Sequence, residues 1–129
     1  MDSAAIAREY FDSFNRRDWG AMRACLHDEY TYSGRNGELR TGPEAGIDNS
    51  QFYANAFPEL RLDVKHLHAT ENVAIVEFAP TTPADAAAPR DRKNEPLICA
   101  VLEIRDGKIH TEREYWQSSV ATAASSATT

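Results

Sequence analysis

The chain is short of cysteine, of positive charge and of long apolar runs, and each shortage excludes something. Cys25 and Cys99 are its two cysteines and share no CxxC spacing. They read as free buried thiols of a cytoplasmic protein rather than as a disulfide. Lys and Arg number 14 against 20 Asp and Glu, giving a net charge of −6 and a pI near 5.1. That balance argues against sequence-independent nucleic-acid binding and against anionic membrane surfaces. No apolar run approaches membrane-spanning length, and the start MDSAAIAREY lacks a basic-then-apolar leader. Glycine-rich phosphate loops, a nucleophile elbow and Cys–His pairs are all missing. His66 and His68 share a strand face, but a metal site there needs a third ligand such as Glu77, and none is expected.

What remains is an ordinary globular composition, 42% hydrophobic and 26% charged over 129 residues. One domain over residues 1–116 is expected, followed by a flexible tail at 117–129 with no large apolar periodicity. Ile6, Tyr10, Phe11 and Phe14 recur at helical spacing, predicting a helix over 3–16. Asp18 caps a short second helix with Trp19, Met22 and Leu26 inward and His27 at its end. Tyr30-Thr31-Tyr32-Ser33 is strand-like. Pro43 opens a third helix carrying Ile47, Phe52, Tyr53 and Phe57, which stops at Pro58. Residues 60–68 and 72–79 alternate as strands, and the Pro- and Ala-rich stretch 79–96 reads as a long loop. Three helices followed by a run of strands indicate an α+β fold whose curved sheet closes against helices.

The most informative stretch is PLICAVLEIRDGKIHTEREYW at 96–116. Its second strand places His110, Glu112, Glu114 and Trp116 on one side if the pleat is regular. A two-residue Asp106-Gly107 turn would pair Arg105 with Lys108 and put Ala100 on the face of Arg113. A three-residue loop with Gly107 in a bulge would pair Ile104 with Lys108 and put Ile98, Ala100 and Leu102 beside His110, Glu112 and Glu114. Residue patterns alone leave both registers open.

AREYFDSFNRRDWGAMRACLHDEYTYSG at 7–34, TGPEAG at 41–46, FPELRLDV at 57–64, VLEIRDGKI at 101–109 and REYW at 113–116 occur in a telling order. In these the chain resembles the nuclear transport factor 2-like superfamily, above all SnoaL-like polyketide cyclases and ketosteroid isomerase relatives. The resemblance implies a cystatin-like α+β barrel: a cone-shaped, curved mixed sheet wrapped on three N-terminal helices around a ligand cavity. It also implies a cofactor-free reaction and a homodimer through the outer sheet face. It selects the three-residue loop, so that even-numbered residues of both strands face the cavity. The isomerase oxyanion tyrosine corresponds to Tyr10, but the acids of that family correspond to Gly34 and Ala100. The arginine and aspartate of epoxide-hydrolase relatives have no match in AIVEFA.

Glu114 is the leading catalytic candidate, because a carboxyl in an apolar cone has a raised pKa suited to proton transfer. A salt bridge to Arg113 of another chain or to Lys108 is its plain alternative. Tyr10 and Tyr32 are candidates for polarising an oxygen, set against simple core packing. Glu112, two residues from Glu114, should raise its neighbour's pKa and be raised in turn. His110 is a candidate partner for Glu112. Trp116, Phe14 and Ala100 complete the expected substrate contacts. The expected partner is a small apolar molecule bearing a carbonyl or resembling a polyketide. The expected chemistry is proton transfer leading to cyclisation, isomerisation or elimination. A binding module that returns its ligand unchanged is the alternative, motivated by the missing acids at Gly34 and Ala100.

Overall fold

The computed structural model describes residues 1–34, 37–83 and 96–117. Asp2 accepts a hydrogen bond from the Ala5 amide at 2.8 Å and starts α1, Ser3–Arg16. Arg17 ends the helix in the left-handed region at φ 60°. Its guanidinium reaches the carbonyls of Phe14, Pro58 and Leu60, which ties the end of α1 to the segment just before Arg61. Asp18 caps α2, Trp19–Ala24, as expected. This helix is shorter than the apolar spacing suggested. Leu26 and His27 open β1, Leu26–Ser33, rather than closing α2, so His27 is a strand residue. A short strand β2, Leu39–Thr41, was not anticipated, and α3, Pro43–Ala56, begins at Pro43 as read.

The strands β3 (Arg61–Ala69), β4 (Val73–Thr81), β5 (Leu97–Arg105) and β6 (Lys108–Gln117) complete a six-stranded sheet of order β2-β1-β6-β5-β4-β3. Only β1 against β6 is parallel, so the sheet is mixed. β4 runs two residues past the expected loop start at Ala79, and β6 includes Gln117, which the tail had claimed. Residues 84–95 of that loop and 118–129 of the tail lie outside the described residues. Among the described residues no helix is long and apolar enough to cross a membrane. Cys25 and Cys99 are free thiols.

Bulges give the sheet its curvature and decide which side chains point inward. In β3 the register slips between Val64 and His66; Leu62 and Val64 pack inward before the slip and Leu67 after it. In β6 the slip falls between the pairs Glu103–Thr111 and Ile104–Ile109, leaving His110 as the extra residue. Hence odd-numbered Ile109 and even-numbered Glu112 are both buried on the concave face. The turn itself is the two-residue form, with Arg105 opposite Lys108 and positive φ at both Asp106 (55°) and Gly107 (72°). This corrects the three-residue loop. The bulge one step further on pairs Ala100 with Glu114 and Ile98 with Trp116, so even-numbered residues still face inward. Against that face pack Ile6, Tyr10, Phe11 and Phe14 of α1, with the Phe11 ring 4.8 Å from that of Phe78.

Candidate active site

The concave face and the helices enclose a cavity of about 370 Å3, within the ~300–1,000 Å3 common for small-molecule sites. Phe11, Phe14, Met22, Leu62, Phe78 and Ile98 give it apolar walls. Into this surface β6 projects two carboxyls. Glu112 is 4% exposed, and its Oε1 accepts hydrogen bonds from the hydroxyls of Tyr10 and Tyr30, each at 2.7 Å. Glu114 Oε1 accepts one from Tyr32 at 2.6 Å. The two carboxyls are also within hydrogen-bonding reach of each other.

Strand register explains this convergence. Tyr32 lies opposite Glu112 on one side and Arg40 on the other, so all three share the cavity face. Tyr30, two residues before Tyr32, shares their strand face, and its ring passes against α3. A Cβ at Gly46 would sit 2.7 Å from Tyr30 Cε1, so glycine at 46 admits the ring. A Cβ at Gly34 would overlap the Tyr32 hydroxyl. The phenol therefore fills the space that a side chain at position 34 would need.

Burial raises the Glu112 carboxyl above its ordinary range, while bonds from Tyr10, Tyr30 and Glu114 favour its charged form. Burial first, and then the charge of Glu112, push Glu114 up to about 8, against a smaller opposing effect of the Tyr32 bond. Of this coupled pair, Glu114 is therefore the carboxyl that keeps its proton to the higher pH. All three tyrosines are pushed upward, burial being the largest cause and the neighbouring carboxylates adding to it. They remain neutral donors.

A SnoaL-like domain profile matches residues 7–111. The chain belongs to this family. Solved structures agree on the fold, in a set of relatives that includes isomerase and cyclase candidates. A candidate ketosteroid isomerase from Kribbella flavida is 25% identical with a TM-score of 0.73, over 89% of this chain and 77% of that one. An uncharacterised cystatin-fold protein from Novosphingobium aromaticivorans is 14% identical with a TM-score of 0.74, over 89% and 98%. A candidate polyketide cyclase from Sinorhizobium meliloti is 15% identical with a TM-score of 0.69, over 86% and 94%. No curated protein matches.

Within this SnoaL-like cavity the structure brings together Tyr10, Tyr32, Glu112, Glu114, Phe14 and Trp116. His110 and Ala100 do not line it. The bulge turns His110 to the other face, where its Nε2 lies 3.2 Å from Arg105 Nη1 and its ring 5.1 Å from that of His27. Ala100 pairs with Glu114 but is fully buried in the core. No group of His, Cys, Asp or Glu able to hold a metal occurs among the described residues, and His68 lies opposite Ile75. Sequence reasoning missed Tyr30 as a site residue, although its alternation with Tyr32 was the signal. It also missed Glu38, Arg40, Asn49 and Ser50 on the wall, the last two signalled by their helical spacing from Gly46.

Proposed function

We propose that this protein is a SnoaL-like enzyme that moves protons α to the carbonyl of a small, mostly apolar or polyketide-like compound. Cyclisation, isomerisation or elimination would follow from the enol so formed. The observation that carries this reading is the Glu112–Glu114 pair on an apolar cavity wall, with the hydroxyls of Tyr10, Tyr30 and Tyr32 donating to it. Glu114 gives its proton to the carbonyl oxygen while the Glu112 carboxylate takes the proton from the α carbon. The pair ends as it began, with one proton and one charge, now exchanged between the two residues. Tyr10 and Tyr30 hold Glu112 in its charged form, and Tyr32 orients Glu114. This differs from a direct role for Tyr10 and Tyr32 on the substrate oxygen, because their hydroxyl protons already point at carboxylates. Trp116 and Phe14 supply apolar wall for the substrate body.

Deuterium exchange of 2-tetralone in D2O, followed by proton NMR, tests the reading with a small ketone. The expected result is catalysed exchange at the α carbon that falls at least a hundredfold in Glu114→Gln. Exchange that is equally fast in the variant contradicts it.

A second reading, binding without chemistry, draws on the occupied space at Gly34 and the buried methyl of Ala100, the two positions where the family resemblance implied acids. It predicts a saturable apolar ligand recovered unchanged, with no exchange above buffer. For assembly, we infer a homodimer through the outer sheet face, where Ile75 and Tyr115 are exposed. Sedimentation equilibrium is expected to give twice the 14.4 kDa chain mass, and a monomer at micromolar concentration contradicts it.

A further inference from the structure

Gly46, Asn49, Ser50 and Tyr53 of α3 follow one another at i, i+3, i+4 and i+7, and all four line the cavity. In a helix packed on an apolar core this stripe would carry aliphatic residues. Here its centre is an amide and a hydroxyl. Both are half-buried, and neither side chain makes a hydrogen bond with any described residue. Both side chains open onto the cavity, so their polar atoms are available to solvent or to a ligand. We propose that Asn49 and Ser50 form a second ligand anchor, which takes a neutral oxygen function, hydroxyl or carbonyl, separate from the one at Glu114.

Charge argues for a neutral group. Arg40, the cation on this wall among the described residues, is already paired with Glu38, and Glu112 adds a negative charge. An incoming carboxylate would meet the carboxyl groups of Glu38 and Glu112, with only the buried Nε–H of Arg40 left without a protein partner among the described residues. Asn49 and Ser50 each offer a donor and an acceptor, which suits a hydroxyl or a carbonyl equally. The inference rests on the proposed function, since it assigns a second oxygen to the same carbonyl compound.

Calorimetric titration with 2-tetralone and 6-hydroxy-2-tetralone, the same body with and without a second oxygen, tests it. Wild-type protein is expected to bind the hydroxylated probe roughly tenfold more tightly, the value of one or two good hydrogen bonds. In the double variant Asn49→Leu/Ser50→Ala the two probes are expected to bind alike, with a melting temperature equal to or above wild type. Ser50→Ala alone, the loss of one oxygen atom, is expected to reduce the preference about threefold. Equal affinities in wild type, a preference that survives the double variant, or a double variant that fails to fold would each overturn the proposal. The readout is binding, not turnover. If Glu114→Gln exchanged deuterium like wild type while the preference vanished in the double variant, the acid–base reading would fall and the anchor would stand.

Discussion

Replacing Glu114 by Gln should flatten the dependence of stability on pH. Glu114 has a folded pKa of about 8 against an ordinary value of 4.5, because burial and the Glu112 charge disfavour its carboxylate. A carboxyl with a raised folded pKa contributes stability that is fully present below the unfolded value. That contribution is lost as pH rises through the folded value, since the native state holds the extra proton in between. Each unit of difference is worth about 1.4 kcal/mol, so full burial would give a loss of about 5 kcal/mol between pH 4.5 and 8. The carboxyl is half-buried at a cavity wall, and solvent screening reduces the expected loss to about 2–3 kcal/mol. Gln keeps the acceptor for the Tyr32 hydroxyl and cannot ionise, so the variant should lack this component. Urea denaturation of both proteins at pH 5.5, 7.0 and 8.5 reads it directly. Wild type should lose about 1–2 kcal/mol more than Glu114→Gln over this narrower range. Parallel curves for the two proteins would refute the reasoning.

Tyr32→Phe removes the bond that favours the charged form of Glu114. The alkaline limb of the exchange rate, near pH 8 in wild type, should therefore move upward, and an unmoved or lowered limb in a pH–rate profile counts against it. Tyr10→Phe and Tyr30→Phe each strip one donor from the buried Glu112 carboxylate. Each should cost about 1–3 kcal/mol in chemical denaturation at pH 7. Gly46→Ala forces its methyl onto the fully buried Tyr30 ring, where overpacking of about 1–3 kcal/mol outweighs a helix-propensity gain below about 1 kcal/mol. A lowered melting temperature is expected, and a raised one would mean the ring yields freely. Gly34→Asp should displace the Tyr32 hydroxyl and reproduce the pH profile of Tyr32→Phe.

Most elements were legible because their signals are local. Apolar spacing fixed α1 and Pro43 fixed the start of α3, whereas Asp106-Gly107 marked a turn without deciding its length, and the two-residue form replaces the three-residue loop. The inward direction of Glu112 and Glu114 was legible too, through the pleat and the family resemblance together. The misplacement of His110 has one cause: a single bulged residue reverses the pleat beyond it, and nothing in HTERE marks the bulge. Leu26 and His27 fit a helical stripe and a strand equally well, and pairing with β6 decides for the strand. Tyr30 escaped notice because its role depends on Gly46, sixteen residues away and on another element. Asn49 and Ser50 carry no apolar signal of their own, and only the position of α3 over the cone turns them inward.

The central claim is that Glu114 carries a proton at neutral pH on the cavity wall. Carbon-13 NMR titration of the glutamate carboxyls, with Glu114 assigned through Glu114→Gln, tests it most directly. The account predicts a Glu114 midpoint near 8. A midpoint near the ordinary 4.5 would mean a solvated, charged carboxylate at neutral pH and would contradict the acid–base site.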